Sequence, residues 1–231
     1  MPLPECHFRI VNCQAATNWI FRTGSNIGGV APASYGMTQG VFGHPLAALL
    51  HTQSAATNPG YADWLAGGVF NLPPICTGHL QLGLTFFVSS VSVIQAIEID
   101  TKITDANQVT FDGSLQFDYS QSETLTFVQV DKKGGGWVNT GISVDKFAPN
   151  VEHTVLIEYE FNSVAKTHSV VSITIDGVFY ALPASLQNLP DVAYNPPWKA
   201  SEILPQLQQD TKPIASASWN WLITDMFYNI W

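Results

Sequence analysis

The chain has 231 residues, 46% of them hydrophobic, 12% aromatic and only 12% charged, so it can bury a substantial core beneath a surface made polar by hydroxyls and amides. Its formal net charge of -9 excludes phosphate backbones and anionic membranes as natural partners, because both are held by clustered Lys and Arg and the chain has no basic run. Its most apolar stretches, such as 82–88, fall well short of the roughly 20 residues that a membrane-spanning helix needs.

In chain order, residues 1–75 read as a loop-rich N-terminal layer and 76–231 as the main strands of one domain. The segments 23–30, 31–43 and 52–60 are dense in Gly, Pro, Ser, Asn and Ala. Short strands are expected only at 9–11, 18–21 and 64–70, and a brief helical turn at 46–51. Such an irregular region commonly borders a binding surface. The first nine residues, MPLPECHFR, show no basic region followed by an apolar one. No secretory signal is therefore legible, and since a signal already removed would leave no trace, localisation stays open. Cys6, Cys13 and Cys76 are an odd set, read either as thiols or as one bridge, Cys6 to Cys13 or Cys13 to Cys76. No Asn-x-Ser/Thr acceptor occurs.

From Cys76 onward strands are predicted at 80–90, 93–103, 109–119, 124–130, 153–161, 169–176, 178–182 and 219–231, all rich in Val, Ile, Thr and aromatics. Turn signals fall between them at 105–107, 131–136 and at Asp176-Gly177. No comparably long segment has helical periodicity, so the fold class is all-β, a sandwich or barrel. Alternation sets Phe111, Leu115, Phe117 and Tyr119 against Thr110, Asp112, Ser114, Gln116 and Asp118, and sets Val155, Ile157, Tyr159 and Phe161 against Thr154, Leu156, Glu158 and Glu160. Strict alternation through the last strand groups Trp219, Trp221, Ile223, Phe227 and Trp231 with Asp225 and Asn229. A second Pro-rich loop is expected over 190–205.

The run QAIEID places Glu98 and Asp100 two apart on a strand, so both carboxylates face one way. With Gln116, Asp118, Gln129 and Asp131 they make a candidate polar row suited to hydroxyl-rich ligands. Trp64, Trp137, Tyr194 and Trp198 lie in or near expected loops, where an indole offers an apolar face and one donor to a sugar ring. Each of these also has a plain structural reading, as a solvated sheet row or a packed loop anchor. The six His, at 7, 44, 51, 79, 153 and 168, have no HxH or HExxH spacing and the Cys no CxxC, so zinc is unsupported. Asp100, Asp105 and Asn107 are the only grouping suggestive of calcium, too sparse to assign one. No metal or other cofactor is expected, and there is no GxSxG, P-loop or dinucleotide motif.

The block EHTVLIEYEFNSVAKTHSVVSITIDGVFYAL at 152–182, the AIEID strand, LPQLQQD at 204–210 and the final strand at 219–231 together resemble the concanavalin A-like lectin and glucanase superfamily over about two thirds of the chain. That resemblance implies an antiparallel jelly-roll sandwich of two curved sheets, with ligand along the concave face or at its rim. Laminarinase-type members carry E-x-D-x-x-E or E-x-D-x-E on one strand. Glu98 and Asp100 match the first two acids and are the candidate catalytic residues. Lys102 and Ile103 stand where the second Glu belongs, whereas a retaining mechanism needs two carboxyl groups about 5 Å apart. Asp105 is better suited to its turn than to replacing that Glu.

The leading functional expectation is thus a lectin-like protein that holds a glycan in its concave groove, with Gln116, Asp118, Gln129, Trp64, Trp137 and Trp198 binding it. A second reading is a cofactor-independent cyclase or isomerase of secondary metabolism. It would be similar to fungal β-sandwich hetero-Diels–Alderases and act on an apolar small molecule by holding it in a near-attack geometry. A third is a glycoside hydrolase or polysaccharide lyase with Glu98 as its key carboxylate. Whether the protein is an enzyme, and its oligomeric state, stay open.

Overall fold

The computed structural model describes residues 8–15, 19–25, 33–38, 47–53, 60–66, 70–71, 77–104, 110–131, 136–162, 167–187, 202–214 and 217–231. Sixteen strands are β1 (Phe8–Ile10), β2 (Trp19–Ser25), β3 (Ala33–Thr38), β4 (Ala47–Gln53), β5 (Gly60–Ala66), β6 (Phe70–Asn71), β7 (Thr77–Val88), β8 (Ile94–Thr104), β9 (Thr110–Asp118), β10 (Leu125–Asp131), β11 (Trp137–Asp145), β12 (His153–Asn162), β13 (Thr167–Ile175), β14 (Val178–Ala181), β15 (Glu202–Thr211) and β16 (Ser218–Ile230). Among the described residues a 3-10 turn spans Cys13–Ala15 and one short helix spans Ala184–Gln187.

Two antiparallel sheets form. The first runs β14-β13-β12-β7-β16-β4-β3, with β1 on β16; the second runs β11-β10-β9-β8-β15-β5-β2, with β6 on β15. Both are built by alternation. Leu80, Leu82, Leu84 and Phe86 of β7 and Val155, Ile157 and Tyr159 of β12 face inward to meet Ile97 and Ile99 of β8 and Leu115 and Phe117 of β9 in one buried cluster. Full burial of each such aliphatic contributes about 1.5–3 kcal/mol. Phe147 closes one end of this core, its ring edge-on to Phe86 and Phe117 at 5.0 Å from each.

The expected strands from 80 onward form, and Asp176-Gly177 makes the tight turn between β13 and β14, both residues at positive φ (47° and 82°). Three expectations need correction. The helical turn at 46–51 is strand β4, because that segment pairs with β16 on one side and β3 on the other while Ala47, Ala48 and Leu50 are buried. The region 1–75 also supplies strands: β1 to β6 lie within it and join both sheets. Its Gly- and Ser-rich composition hid strands whose partners lie far along the chain, as β5 does against β15. The expected loop at 190–205 ends in β15, which enters the second sheet between β8 and β5; 190–201 lie outside the described residues.

The final strand departs from strict alternation. A β-bulge between Ile223 and Asp225 shifts the register, so Trp219, Trp221 and Ile223 face the core, followed by Met226, Tyr228 and Ile230. Phe227 and Trp231 therefore join Asp225 and Asn229 on the other face, not the Trp219 stripe. The Gln14 side chain bridges the bulge. Its Nε2 donates to the Thr224 carbonyl and its Oε1 accepts from the Met226 amide, each at 3.0 Å.

Candidate functional site

The sheet register assembles a polar row across the second sheet. Asn139 of β11 stands opposite Gln129 of β10, Gln129 opposite Gln116 of β9, Gln116 opposite Glu98 of β8, and Glu98 opposite Gln208 of β15. The pairing continues to Asp63 and Arg22 at the same level of β5 and β2. At about 4.8 Å between strands, the five from β11 to β15 alone span roughly 20 Å. One residue along, the row Val130, Leu115, Ile99 and Leu207 is buried against the other sheet. The second sheet is therefore apolar inside and amide- and acid-rich outside.

Neighbouring rows on the same face add Asp100 opposite Ser114 and Gln206, Lys102 opposite Asp112, and Ala96 opposite Asp118 and Asp210. Asp131 stands opposite Trp137, which is half-buried at the edge of this face. The structure thus brings Glu98, Asp100, Gln116, Asp118, Gln129 and Trp137 onto one surface. Trp64 lies within β5, where it pairs with Leu207 and Phe21. Trp198 and Tyr194 lie outside the described residues.

Individual contacts show what each group is committed to. Asp118 is a turn anchor: Oδ1 accepts from the Ser120 amide at 2.8 Å and hydroxyl at 2.6 Å, and Oδ2 from Gln121 Nε2 at 2.5 Å and Gln129 Nε2 at 3.2 Å. It therefore acts on the row by orienting the Gln129 amide. Lys102 Nζ donates to Gln206 Oε1 at 2.8 Å and pairs with Asp112 Oδ2 at 3.2 Å and Asp100 Oδ2 at 3.9 Å. An ammonium, locked in place, stands where an E-x-D-x-E strand would present its second acid. Gln208 Nε2 donates to Asp210 Oδ1 at 3.2 Å. Near one end of the face Lys146 donates to the Ser122 carbonyl at 2.6 Å; partial burial and then the neighbouring Lys212 lower its pKa.

The other titratable groups with a clear shift lie in the core. Burial pushes the His168 imidazole down to about 4, against a lesser opposing hydrogen bond to the Asp112 backbone. It pushes the Cys13 thiol up to about 12, helped by Asp225, and raises Tyr119, Tyr159 and Tyr228. Cys13 packs in the core as a thiol, while Cys6 and Cys76 lie outside the described residues. His153, at the start of β12, ties the sheet to its hairpin, with Nδ1 2.8 Å from Asp176 Oδ2 and Nε2 donating to the Ala148 carbonyl at 3.1 Å. Among the described residues no three His, Cys, Asp or Glu side chains stand together as a metal ligand set. Asp105 and Asn107 lie outside the described residues, and Asp100 Oδ2 stands 3.9 Å from Lys102 Nζ. None of the described helices is long and apolar enough to cross a membrane.

No known family profile matches the chain, and no curated protein does. Solved structures do. The lectin UEA-II complexed with galactose aligns over 97% of this chain and 99% of its own at 9% identity, with a TM-score of 0.51. Lectin II from Ulex europaeus aligns over 97% and 99% at 8% identity, with a TM-score of 0.50. The chain shares their antiparallel jelly-roll sandwich fold. A native glycosidic hydrolase shares that jelly roll over 95% of this chain and 94% of its own at 10% identity, with a TM-score of 0.50. At such identities the likeness fixes the backbone architecture, while the chemistry of the site rests on its own side chains.

The sequence reading missed Asn139, Gln206, Gln208 and Asp210 as members of this face. The period-2 spacing of Gln206, Gln208 and Asp210 in LPQLQQD was the available signal. The register that aligns it with Glu98 was not.

Proposed function

We propose that the protein is a lectin-like carbohydrate-binding protein that holds a glycan across the polar outer face of its second sheet. One observation carries this reading: the unbroken row Asn139, Gln129, Gln116, Glu98 and Gln208, in which amides and a carboxylate recur at each strand crossing. Sugar hydroxyls donate and accept at short, regular intervals, and a ladder of amide and carboxylate groups meets that pattern. Trp137 at the edge supplies an apolar platform for a ring face. Lectins among the structures that share the fold make a sugar ligand consistent with the architecture. The same row argues against an apolar metabolite, which would leave these polar groups desolvated and unanswered. It also argues against retaining hydrolysis, since Lys102 replaces the second carboxyl group.

The test is a thermal-shift panel of oligosaccharides against purified protein and its Glu98→Gln and Gln208→Ala variants. A ligand near 100 times its Kd should stabilise the fold by about 3 kcal/mol. The expected result is stabilisation by one sugar class, lost in both variants while their unliganded melting points hold. Stabilisation by apolar compounds alone, or no response to any sugar, would overturn the reading.

A further inference from the structure

We infer that the polar face selects a glycan carrying primary amines, a deacetylated amino-sugar chain. This rests on the carbohydrate-binding reading and goes further by naming the ligand's charge and donor character. Two independent observations point the same way.

The first is an unmet acceptor. Gln116 is only 9% exposed, and its Oε1 is buried with no hydrogen-bond partner in the protein, although it stands at the middle of the row between Glu98 and Gln129. A buried acceptor left unsatisfied is costly, so a ligand that brings a donor to this point is favoured over one that brings an acceptor. The site therefore asks for N–H or O–H at its centre.

The second is charge. The register places Glu98, Asp100, Asp112, Asp118, Asp131 and Asp210 on this face, against Lys102 as the one cation among its described side chains. Lys102 is already held by Asp112, Asp100 and Gln206. Lys146 and Lys212 lie past the strand ends, and Lys146 is bonded to the Ser122 carbonyl. Uronate or sulfate groups would meet like charge from Glu98 in the row and from the acids on either side of it. A neutral sugar would supply the donor but leave the field unmatched. An ammonium brings three donors and the complementary charge together.

The experiment is calorimetric titration of the intact chain with three oligomers of equal length: glucosamine, N-acetylglucosamine and galacturonate. The glucosamine oligomer is expected to bind at least about tenfold more tightly than its acetylated counterpart, the value of one charge-assisted hydrogen bond. Its affinity should fall with added salt, and the galacturonate oligomer should not bind. Gln116→Met should lower glucosamine binding without lowering the melting point, because it removes a buried acceptor. Should Gln116→Met fail to fold, Gln116→Glu serves in its place and should tighten glucosamine binding. Equal or tighter binding of the acetylated oligomer, or any binding of the galacturonate oligomer, would overturn the amine selectivity and leave the carbohydrate reading standing. Silence from all three, together with silence across the wider sugar panel, would overturn both. Glucosamine binding unchanged by the Gln116 substitution would overturn the placement of the amine at the centre of the row.

Discussion

Gly113 of β9 lies against the imidazole of His168 of β13, so closely that a Cβ at residue 113 would overlap ring atom Cε1. The contact joins the two sheets face to face, with the His168 ring stacked on Tyr159 at 5.3 Å. Gly113→Ala is expected to destabilise the fold by about 1–3 kcal/mol, because a 3% exposed ring has little room to move aside. Gly83→Ala is a control. Its Cβ would overlap the Phe227 ring, but Phe227 is only half-buried, with Arg9 5.3 Å from its centroid, and can swing outward. Urea melts should show less than about 1 kcal/mol lost there, with similar slopes for both variants. Equal losses would contradict the difference in freedom between the two rings.

His168 also sets an acid limit. Its folded pKa, about 4, lies below the ordinary value of 6.5, so between these values the unfolded chain binds the extra proton and the native state does not. Stability contributed by the neutral ring is complete above about pH 6.5 and is lost as pH falls toward 4, by about 3 kcal/mol in all. Denaturation free energies measured across that window should fall less steeply in His168→Leu than in the parent. A parallel profile would show that the acid sensitivity lies elsewhere.

Gln14 is expected to matter beyond its place in a three-residue turn. Gln14→Leu keeps the bulk but leaves the Thr224 carbonyl and Met226 amide at the bulge without the side-chain partner each now has. A loss of about 2 kcal/mol is expected. The Met226 amide should also exchange its hydrogen faster than its strand neighbours, and unchanged exchange would refute the role of Gln14 there.

Cys13 should resist alkylation in the native protein. Its thiol, pushed up to about 12 within the core, has almost no thiolate at neutral pH. Peptide mapping after a pulse of iodoacetamide should find Cys13 unmodified until denaturant is added. Labelling of Cys13 in the folded state would indicate local opening of the turn against β16.

The legible part of this fold was the part made by local pattern. Alternation in 112–119 and 153–161 separated inward from outward residues because each side chain there obeys a period of two. It failed at the last strand because one inserted residue at the β16 bulge inverts every later position, and nothing in WNWLITDMFYNIW marks the insertion. It also failed at 46–51, where Leu-Ala-Ala-Leu-Leu favours helix in isolation and pairing on both sides imposes strand. The site divided likewise. Glu98 and Asp100 were visible as neighbours on one strand, whereas their company with Gln208 and Asn139 depends on strand order, which no local spacing encodes. Trp64 was read in or near a loop because its neighbours are Gly- and Ala-rich, yet it falls within β5, which pairs with the distant β15.

The placement of β15 and β16 bears on how the molecule is made. β1 and β4 hydrogen-bond to β16, and β5 and β6 to β15, while the opposite edges of these same two strands hold β7 and β8. Each sheet is therefore stitched along a seam supplied by residues 202–230. During synthesis β7 to β14 can pair with near neighbours, but the earlier strands must wait, with open backbone edges, until the seam has left the ribosome. Assembly is thus expected to be late and dominated by distant pairings, and the nascent chain rather than the finished one is the form most exposed to aggregation.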